Sequence, residues 1–294
     1  MARDRLSARF PEWMKKRVPA GQSASKVRSI IADLHLNTVC TSALCPNIGE
    51  CYHCGTATFL IMGPNCTRAC RFCAVDKKAP LPLEPDEPER VAEAVRRMNL
   101  RHVVITSVTR DDIDDKGAEH FAETIRAVRA AAPAATIEVL VPDFAGSAAS
   151  VATVLDAAPD VFNHNVETVP GLYASVRPQA DYRRSLDVLK LASELSPSTA
   201  TKSGMMLGLG ETIAEVEEVF ADLRNSGVRI VTAGQYLRPS AGHLPIERFV
   251  TPEEFAALEK KALQMGFDAA FCAPFVRSSY HAGEVFSGSR EPRV

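Results

Sequence analysis

The sequence predicts an α/β protein: a six-stranded (β/α)6 partial barrel of the TIM type, with an extension at each end. Strand-like apolar runs alternate with amphipathic helical segments along most of the 294 residues. Apolar residues make up 46% of the chain and charged residues 24%, as in an ordinary globular protein. A single α/β barrel of this length is common, so one main folded domain is expected.

Six apolar runs are predicted to be strands. Each is nearly continuous in apolar residues, which is typical of a parallel strand covered on both faces. Since helical segments separate the runs, they imply parallel βαβ units with right-handed crossovers. A doubly wound open sheet shows the same pattern and remains an alternative. The runs lie at 56–62, 102–108, 136–141, 160–166, 199–207 and 228–235.

Amphipathic segments predict the helices. In the first of them, Val91, Ala94, Val95 and Met98 follow the i, i+3, i+4, i+7 stripe of a helix with one buried face. A helix ahead of the barrel is predicted at 25–36, residues 37–55 are expected to be irregular, and a strand-like run follows the last helix at 267–272. The remaining helices are predicted at 86–98, 117–132, 147–157, 181–195, 213–226 and 252–265.

We therefore expect three parts: an amino-terminal extension (1–55), a barrel (56–272) and a carboxyl-terminal tail (273–294). The net charge of -2 gives no general attraction to nucleic acid, and the chain lacks a long apolar run for a membrane span. Residues 1–28 are basic without the apolar core of a secretory signal. This basic stretch is interpreted as a solvated arm, with an organelle transit peptide and a docking surface for an acidic partner as alternatives. A cytoplasmic protein that binds neither nucleic acid nor membrane is expected.

Cysteine usage is the anomaly of this sequence. Seven of the eight cysteines lie between positions 40 and 73. Without a secretion signal a disulfide framework is not expected, and clustered thiols are typical of metal ligands. The eighth, Cys272, lies on an apolar run and is predicted to be a buried small hydrophobic residue.

Cys66, Cys70 and Cys73 form a C-x3-C-x2-C set directly after the first predicted strand. Three thiolates leave one iron of a [4Fe–4S] cube without a protein ligand, and S-adenosylmethionine can bind there through its amino and carboxylate groups. An electron from the cluster can then cleave the sulfonium bond and give a 5′-deoxyadenosyl radical. This spacing, with the aromatic Phe72 before the last cysteine, resembles the radical S-adenosylmethionine superfamily.

A zinc site is the competing interpretation. Cys51, Cys54, Cys70 and Cys73 have a C-x2-C…C-x2-C spacing that can bind zinc. That interpretation leaves the other three clustered cysteines without a role. In the iron–sulfur interpretation, Cys54 is the extra residue and is expected to be a free thiol.

Cys40, Cys45 and Cys51 form a second set, C-x4-C-x5-C, and with its flanking motifs the chain resembles the lipoyl synthase family over residues 10–288. The resemblance is narrow because it combines two cysteine sets with a terminal Arg-Ser-Ser-Tyr. The motifs that carry it include Pro46-Asn47-Ile48-Gly49-Glu50, Thr106-Ser107-Val108-Thr109-Arg110-Asp111-Asp112, His164-Asn165-Val166-Glu167-Thr168, Gly234-Gln235-Tyr236-Leu237, His243-Leu244-Pro245 and Arg277-Ser278-Ser279-Tyr280.

The resemblance implies that the second cysteine set holds another [4Fe–4S] cluster, whose fourth ligand is a serine of the Arg-Ser-Ser-Tyr motif. We assign this ligand to Ser279, with Ser278 as the less favoured choice. An alkoxide is a weaker partner than thiolate for iron in a sulfide cube, which suits a cluster that is consumed as the sulfur source. Arg277 is expected to support this serine or to gate substrate entry.

The resemblance further implies a sulfurtransferase that inserts two sulfur atoms at C6 and C8 of a protein-bound octanoyl-lysine to make the lipoyl cofactor. The expected substrate is a lipoyl-carrier domain or a glycine-cleavage H protein, and the expected reductant is a ferredoxin or flavodoxin. Two alternatives remain at this point. One is a sulfur insertase acting on a free small molecule, as biotin synthase does, and the other is a non-catalytic iron–sulfur or zinc protein.

Four residues are candidates for binding S-adenosylmethionine: Ser107, Asn165 and Glu167 lie at the ends of predicted strands, the expected catalytic end, and Arg177 lies in Val176-Arg177-Pro178. Ser107 could contact the methionyl amino group, and Arg177 could bind the carboxylate in a bidentate manner. Asn165 and Glu167 could contact the amino group or the ribose. For each of them a turn, cap or surface ion pair is the structural alternative. His164 is expected to be a hydrogen-bonded core residue.

Overall fold

The computed structural model describes residues 10–15 and 22–290, and these residues form a mixed sheet surrounded by helices. The described strands are β1 (Asn37–Thr38), β2 (Thr58–Ile61), β3 (His102–Ser107), β4 (Thr136–Leu140), β5 (Val161–Asn163), β6 (Ala200–Leu207), β7 (Ile230–Gln235) and β8 (Ala269–Cys272). They lie side by side in chain order. From β2 to β8 each strand runs parallel to the next, and β1 pairs antiparallel with β2 at one edge.

Helices connect these strands and cover the outer face of the sheet. They are α1 (Gln22–Asp33), α2 (Val39–Ser42), α3 (Ile48–His53), α4 (Glu87–Met98), α5 (Ala118–Ala131), α6 (Ala148–Asp156), α7 (Tyr173–Val176), α8 (Tyr182–Leu195), α9 (Ile213–Asn225), α10 (Pro252–Gln264) and α11 (Ala282–Arg290). Parallel strands in chain order with connecting helices form a partial TIM-type barrel, so the predicted fold class is confirmed. In the described part of the chain, no helix has the length and apolar character that a membrane span requires.

All six predicted barrel strands and the helices between them are present, with ends that differ by at most three residues. The strand-like run at 267–272 is β8. Helix α1 ends three residues earlier than predicted, because His35 adopts a left-handed conformation (φ 50°) that stops the helix. The expectation that 37–55 is irregular was wrong. Two short helices lie there, and Thr38 caps the first by accepting from the Thr41 N–H.

The apolar core lies between the sheet and the helices, in two clusters that divide the barrel. The first lies under α4, α5 and α6 and includes Phe59, Ile105 and Val139 from β2, β3 and β4. The second lies under α9 and α10 and includes Leu207 and Val231 from β6 and β7. Since the strands are buried on both faces, their apolar residues are nearly continuous in the sequence, which is the signal that predicted them.

A buried ion pair lies inside the barrel. Glu138 of β4 accepts hydrogen bonds from Lys202 Nζ of β6 at 2.8 and 3.0 Å and from Asn163 Nδ2 of β5 at 2.9 Å. His102 of β3 lies 3.4 Å from the same carboxylate. At the amino-terminal end of the barrel, Phe286 of α11 packs against the first residues of β5, β6 and β7. Helix α11 therefore covers that end.

Replacing Lys202 by Met is expected to destabilise the fold by about 3–5 kcal/mol, because it leaves the Glu138 carboxylate buried without its charged partner. The double variant Glu138→Gln with Lys202→Met should recover much of that loss, since it removes both charges. Urea unfolding measures both changes. A Lys202→Met variant as stable as the wild type would show that this pair is not buried as described.

The same pair predicts a pH dependence. Burial opposes ionisation of Glu138, but attraction to Lys202 and His102 outweighs it and lowers the pKa of Glu138 from 4.5 to about 2. A carboxyl group with a lowered pKa stabilises the fold above its unfolded pKa and loses that contribution as pH falls through its folded pKa. The stability difference between wild type and Glu138→Gln should therefore shrink from about pH 4.5 to about pH 2. A difference that stays constant over this range contradicts the assignment.

Candidate active site

The first cysteine set lies on the loop that leaves the carboxyl end of β2. Met62 and Gly63 both have positive φ angles, 68° and 84°, which turn the chain out of the strand. The Cys66 N–H donates to the Asp76 carbonyl at 2.8 Å and closes the base of the loop. Cys66, Cys70 and Cys73 are free and half-buried. They are thus at the end of the barrel where barrel enzymes carry their active sites.

Arg68 anchors this loop. Its guanidinium binds both Asp111 carboxylate oxygens at 2.7 and 2.9 Å and one Asp143 oxygen at 2.6 Å. Arg184 binds the other Asp143 oxygen at 2.9 Å. Burial opposes ionisation of Asp143, yet Arg68 holds the pKa of that carboxyl well below its usual range. The bidentate geometry fixes the loop against the segments that follow β3 and β4.

The thiols of this loop suit a metal cluster. Burial raises the pKa of Cys70 and raises the pKa of Cys73 to about 12, so both groups are neutral thiols until a bound metal displaces their protons. Cys66 Sγ accepts an N–H from Thr109 at 3.3 Å, a contact of the kind that tunes the potential of iron–sulfur clusters. Three thiols on one loop fit three irons of a [4Fe–4S] cube and leave the fourth to a small ligand.

The zinc interpretation lacks structural support. Within residues 10–15 and 22–290, no three side chains of His, Cys, Asp or Glu approach closely enough to hold one metal ion. The four cysteines of the zinc spacing are also divided between two regions, because Cys51 and Cys54 line a pocket that Cys70 and Cys73 do not line. A [4Fe–4S] cube does not require its thiolates to meet at one atom, because each thiolate binds a different iron.

Asn165, Glu167 and Arg177 come together next to the cysteine loop, at the carboxyl end of β5. Asn165 Nδ2 donates to Glu167 Oε1 at 3.1 Å, and Arg177 donates to the Asn165 and Val166 carbonyls at 3.0 and 3.2 Å. The charge of Arg177 acts on Cys70, and burial raises the pKa of Glu167. These three residues therefore line one polar region beside the first cysteine set.

Arg177 Nε and Ser107 Oγ are among the buried polar atoms that have no hydrogen-bond partner in the described residues, and Thr168 Oγ1 and Arg110 Nη1 are two more at this end of the barrel. Ser107 is the last residue of β3, next to the segment whose Thr109 N–H binds Cys66. A buried polar atom without a partner costs free energy, so these atoms are available to a polar ligand at this end of the barrel. Arg177 and Ser107 were predicted as ligand contacts.

The second cysteine set lines a pocket of about 390 Å³ at the opposite end of the barrel. Thr58 and His102, the first residues of β2 and β3, line it too, which places it at the amino ends of the strands. Burial raises the pKa of the Cys40 thiol to about 11. The predicted ligands and their neighbours in the pocket wall are Cys40, Cys45, Cys51, Cys54, Arg277 and Ser279.

The Arg-Ser-Ser-Tyr motif forms one tight turn. The Tyr280 N–H donates to the Arg277 carbonyl at 2.9 Å, so Ser278 and Ser279 occupy its two central positions. Ser279 lines the pocket with the second cysteine set. Ser278 instead binds Asn165, with its Oγ 2.7 Å from Nδ2 and 3.0 Å from Oδ1. Arg277 is between the two regions, since its charge acts on both Cys45 and Glu167.

Residues near Cys51 hold this turn in place. Asn47 Nδ2 donates to the Phe275 carbonyl at 2.7 Å, and the Tyr280 hydroxyl donates to Glu50 Oε1 at 2.7 Å. A Cβ on Gly234 of β7 would lie 2.0 Å from the Val276 carbonyl oxygen, so only glycine allows the tail to approach this strand. The tail is thus packed between β7 and the amino-terminal extension.

The sequence analysis named candidate ligand sets, with Ser278 as the less favoured fourth ligand, but it assigned no positioning role to Asn47, Glu50, Arg68 or Ser278. Arg68 lies between Cys66 and Cys70 in the sequence, and this position was the available signal. Two simpler predictions are confirmed: His164 is a core residue bound to the Val141 carbonyl and Ser185, and Cys272 is buried. Most of the basic amino terminus lies outside the described residues.

Comparisons with known proteins agree with this geometry. Residues 60–223 match the radical SAM superfamily, and residues 2–45 match the N-terminal domain of lipoyl synthase of the radical SAM family. The crystal structure of methylornithine synthase has a TM-score of 0.53 at 13% identity, covering 84% of this chain and 74% of that one. At this identity the likeness shows the fold alone.

Two relatives named lipoyl synthase are each 54% identical to this chain. The protein from Rubrobacter xylanophilus aligns over 95% of this chain and 87% of its own length. The one from Caldanaerobacter subterraneus aligns over 97% of this chain and all of its own length. Neither a biotin synthase-like enzyme nor a non-catalytic metal protein accounts for identity at this level over the whole chain. The chain belongs to the lipoyl synthase family of radical S-adenosylmethionine enzymes.

Proposed function

We propose that the two cysteine sets divide the sulfur-insertion reaction of the family between the two ends of the barrel. Cys66, Cys70 and Cys73 hold the [4Fe–4S] cluster that binds S-adenosylmethionine. Cys40, Cys45 and Cys51 hold the second cluster. The observation that carries this proposal is their placement, with one set on the loop after β2 and the other around the pocket at the amino ends of β2 and β3.

When bound, the first cluster supplies the electron that cleaves S-adenosylmethionine to a 5′-deoxyadenosyl radical, and the second supplies sulfide. A carbon radical is required because the C–H bonds at C6 and C8 of an octanoyl chain are unactivated and resist acid–base catalysis. The chain's own role is to bind the two clusters at opposite ends of the barrel. The buried interior between them keeps water away from the radical.

We assign the fourth ligand of the second cluster to Ser279 rather than Ser278. Ser279 lines the pocket of the second cysteine set, whereas the Ser278 hydroxyl binds Asn165. The guanidinium of Arg277 supports this site, since its charge acts on Cys45 in the same pocket.

We assign the binding of S-adenosylmethionine to Ser107, Asn165, Glu167 and Arg177. Arg177 Nε and Ser107 Oγ are buried without partners in the described structure and suit the methionyl carboxylate and amino groups. The Glu167 carboxylate, held by Asn165, suits the positively charged amino group or the ribose.

The enzyme acts on lipoyl-carrier substrates and needs a reductant. The proposed substrates are octanoylated lipoyl-carrier domains or a glycine-cleavage H protein, and the proposed reductant is a ferredoxin or flavodoxin. In this proposal, residues 1–55 and 273–294 build the second cluster site around a barrel formed by 56–272.

The Ser279→Ala variant tests this assignment. It should lower the iron content after anaerobic reconstitution from about eight toward about four per chain, because the second cluster loses its only oxygen ligand. It should still release 5′-deoxyadenosine, since Cys66, Cys70 and Cys73 remain. Thiolated product on an octanoyl-lysyl peptide should fall by at least about 100-fold, as measured by mass spectrometry.

Cys66→Ala is the matched control, and it should lose 5′-deoxyadenosine release and product together. If Ser279→Ala formed product at the wild-type level, the assignment of the fourth ligand would be wrong. If the wild type released no 5′-deoxyadenosine with a strong reductant, the assignment of the first cluster would fail instead.

Gly234→Ala tests whether the packing of the tail places Ser279. The added Cβ would lie 2.0 Å from a main-chain oxygen, Val276 O, and 3.1 Å from Arg277 Nη1, so the tail must move. We expect a loss of about 1–3 kcal/mol in stability and a lower iron content. Gly171→Ala is the control, because its Cβ meets nothing closer than 3.9 Å. A Gly234→Ala protein with wild-type iron content and melting temperature contradicts the packing described.

A further inference from the structure

We propose that Ser278 is a positioning residue for S-adenosylmethionine, acting through Asn165 and Glu167. The inference rests on the proposed function, because it takes these two residues as part of the cosubstrate site. Ser278 then acts near the first cluster, where S-adenosylmethionine binds, whereas Ser279 is a ligand of the second cluster. The cysteine spacing by itself assigns no role to Ser278, and neither does the zinc alternative.

The hydrogen bonds that support this role run in series. Ser278 Oγ lies 2.7 Å from Asn165 Nδ2 and 3.0 Å from Asn165 Oδ1. The same Nδ2 group lies 3.1 Å from Glu167 Oε1. An amide nitrogen has two hydrogens, so Asn165 can donate one to Ser278 and one to Glu167. The serine hydroxyl therefore fixes the amide that orients the Glu167 carboxylate.

Without the hydroxyl, the Asn165 amide would be poorly fixed. The last side-chain torsion of asparagine is broad, so its amide rotates readily unless hydrogen bonds hold it. Asn165 is buried, with only 9% of its surface exposed, so water does not easily replace a lost partner. Rotation of the amide would remove the hydrogen bond that Glu167 accepts.

The barrel leaves room for this contact at Gly204 of β6. A Cβ built there would lie 2.9 Å from Asn165 Oδ1 and 3.2 Å from Ser278 Oγ. It would also lie 2.6 Å from Thr232 Oγ1 of β7. A glycine at this place allows the tail and the end of β5 to meet inside the barrel, which a larger residue would prevent.

Adjacent serines thus serve different sites, and their alanine variants should have separable effects. In anaerobically reconstituted enzyme, Ser278→Ala should keep about eight irons per chain. Its Kd for S-adenosylmethionine should rise about 3- to 10-fold, the effect of one lost hydrogen bond. Ser279→Ala should lose iron but bind S-adenosylmethionine nearly as the wild type does. Equilibrium titration with S-adenosylmethionine and iron analysis measure the two effects.

Two further variants separate positioning from a general structural defect. Asn165→Ala removes the other partner of the contact, and adding Ser278→Ala to it should raise the Kd no further, because coupled residues are not additive. Ser287→Ala is the control, since that hydroxyl donates within α11 to the Gly283 carbonyl and should leave the Kd and iron content unchanged.

Three outcomes would overturn the inference. One is a Ser278→Ala enzyme with eight irons and a wild-type Kd, which leaves the assignment of Ser279 intact. Another is additive increases in Kd for Ser278→Ala and Asn165→Ala. The last is a Ser278→Ala enzyme that loses half of its iron, which would make Ser278 the ligand and overturn the proposed role of Ser279 as well.

Discussion

The proposed link between the two cluster sites depends on one constraint, which is that the carboxyl-terminal tail must pack against both the barrel and the amino-terminal extension. Among the described strands, β1 and β8 are the edges of the sheet. The tail follows β8, and its Tyr280 binds Glu50 of α3 at 2.7 Å. An exposed sheet edge is a liability, and covering it with chain is a common solution. Here the covering segment also carries the serine assigned to the second cluster.

Buried charge has separate roles at the carboxyl end of the barrel and in the barrel interior. On the loop side, Arg68 links the cysteine loop to Asp111 and Asp143, which follow β3 and β4. Inside the barrel, Glu138 and Lys202 join β4 to β6 across β5. Burying charges is costly unless every partner is in place, so these groups favour one arrangement of the strands. The loop that carries the first cluster is thereby attached to strands rather than to other loops.

The sequence predicted the barrel well because strands buried on both faces have a signal within a few residues. It did not predict α2, α3 and α11, and α2 and α3, with four and six residues, have too few turns for a clear period. The cysteine sets were visible as spacing. The partners of Arg68 and Ser278 were not, because Asp111 is 43 positions from Arg68 and Asn165 is 113 positions from Ser278. Local patterns hold no information about such contacts.

The turn at 277–280 explains why a four-residue motif can serve two sites. A β-turn fixes four residues through one hydrogen bond, and here its two central side chains are half-buried at a short bend. Arg277 and Tyr280 close the turn, and Ser278 and Ser279 are its central residues. One of them binds Asn165 and the other lines the pocket of the second cysteine set. An inserted residue would change which side chains occupy the two central positions of the turn.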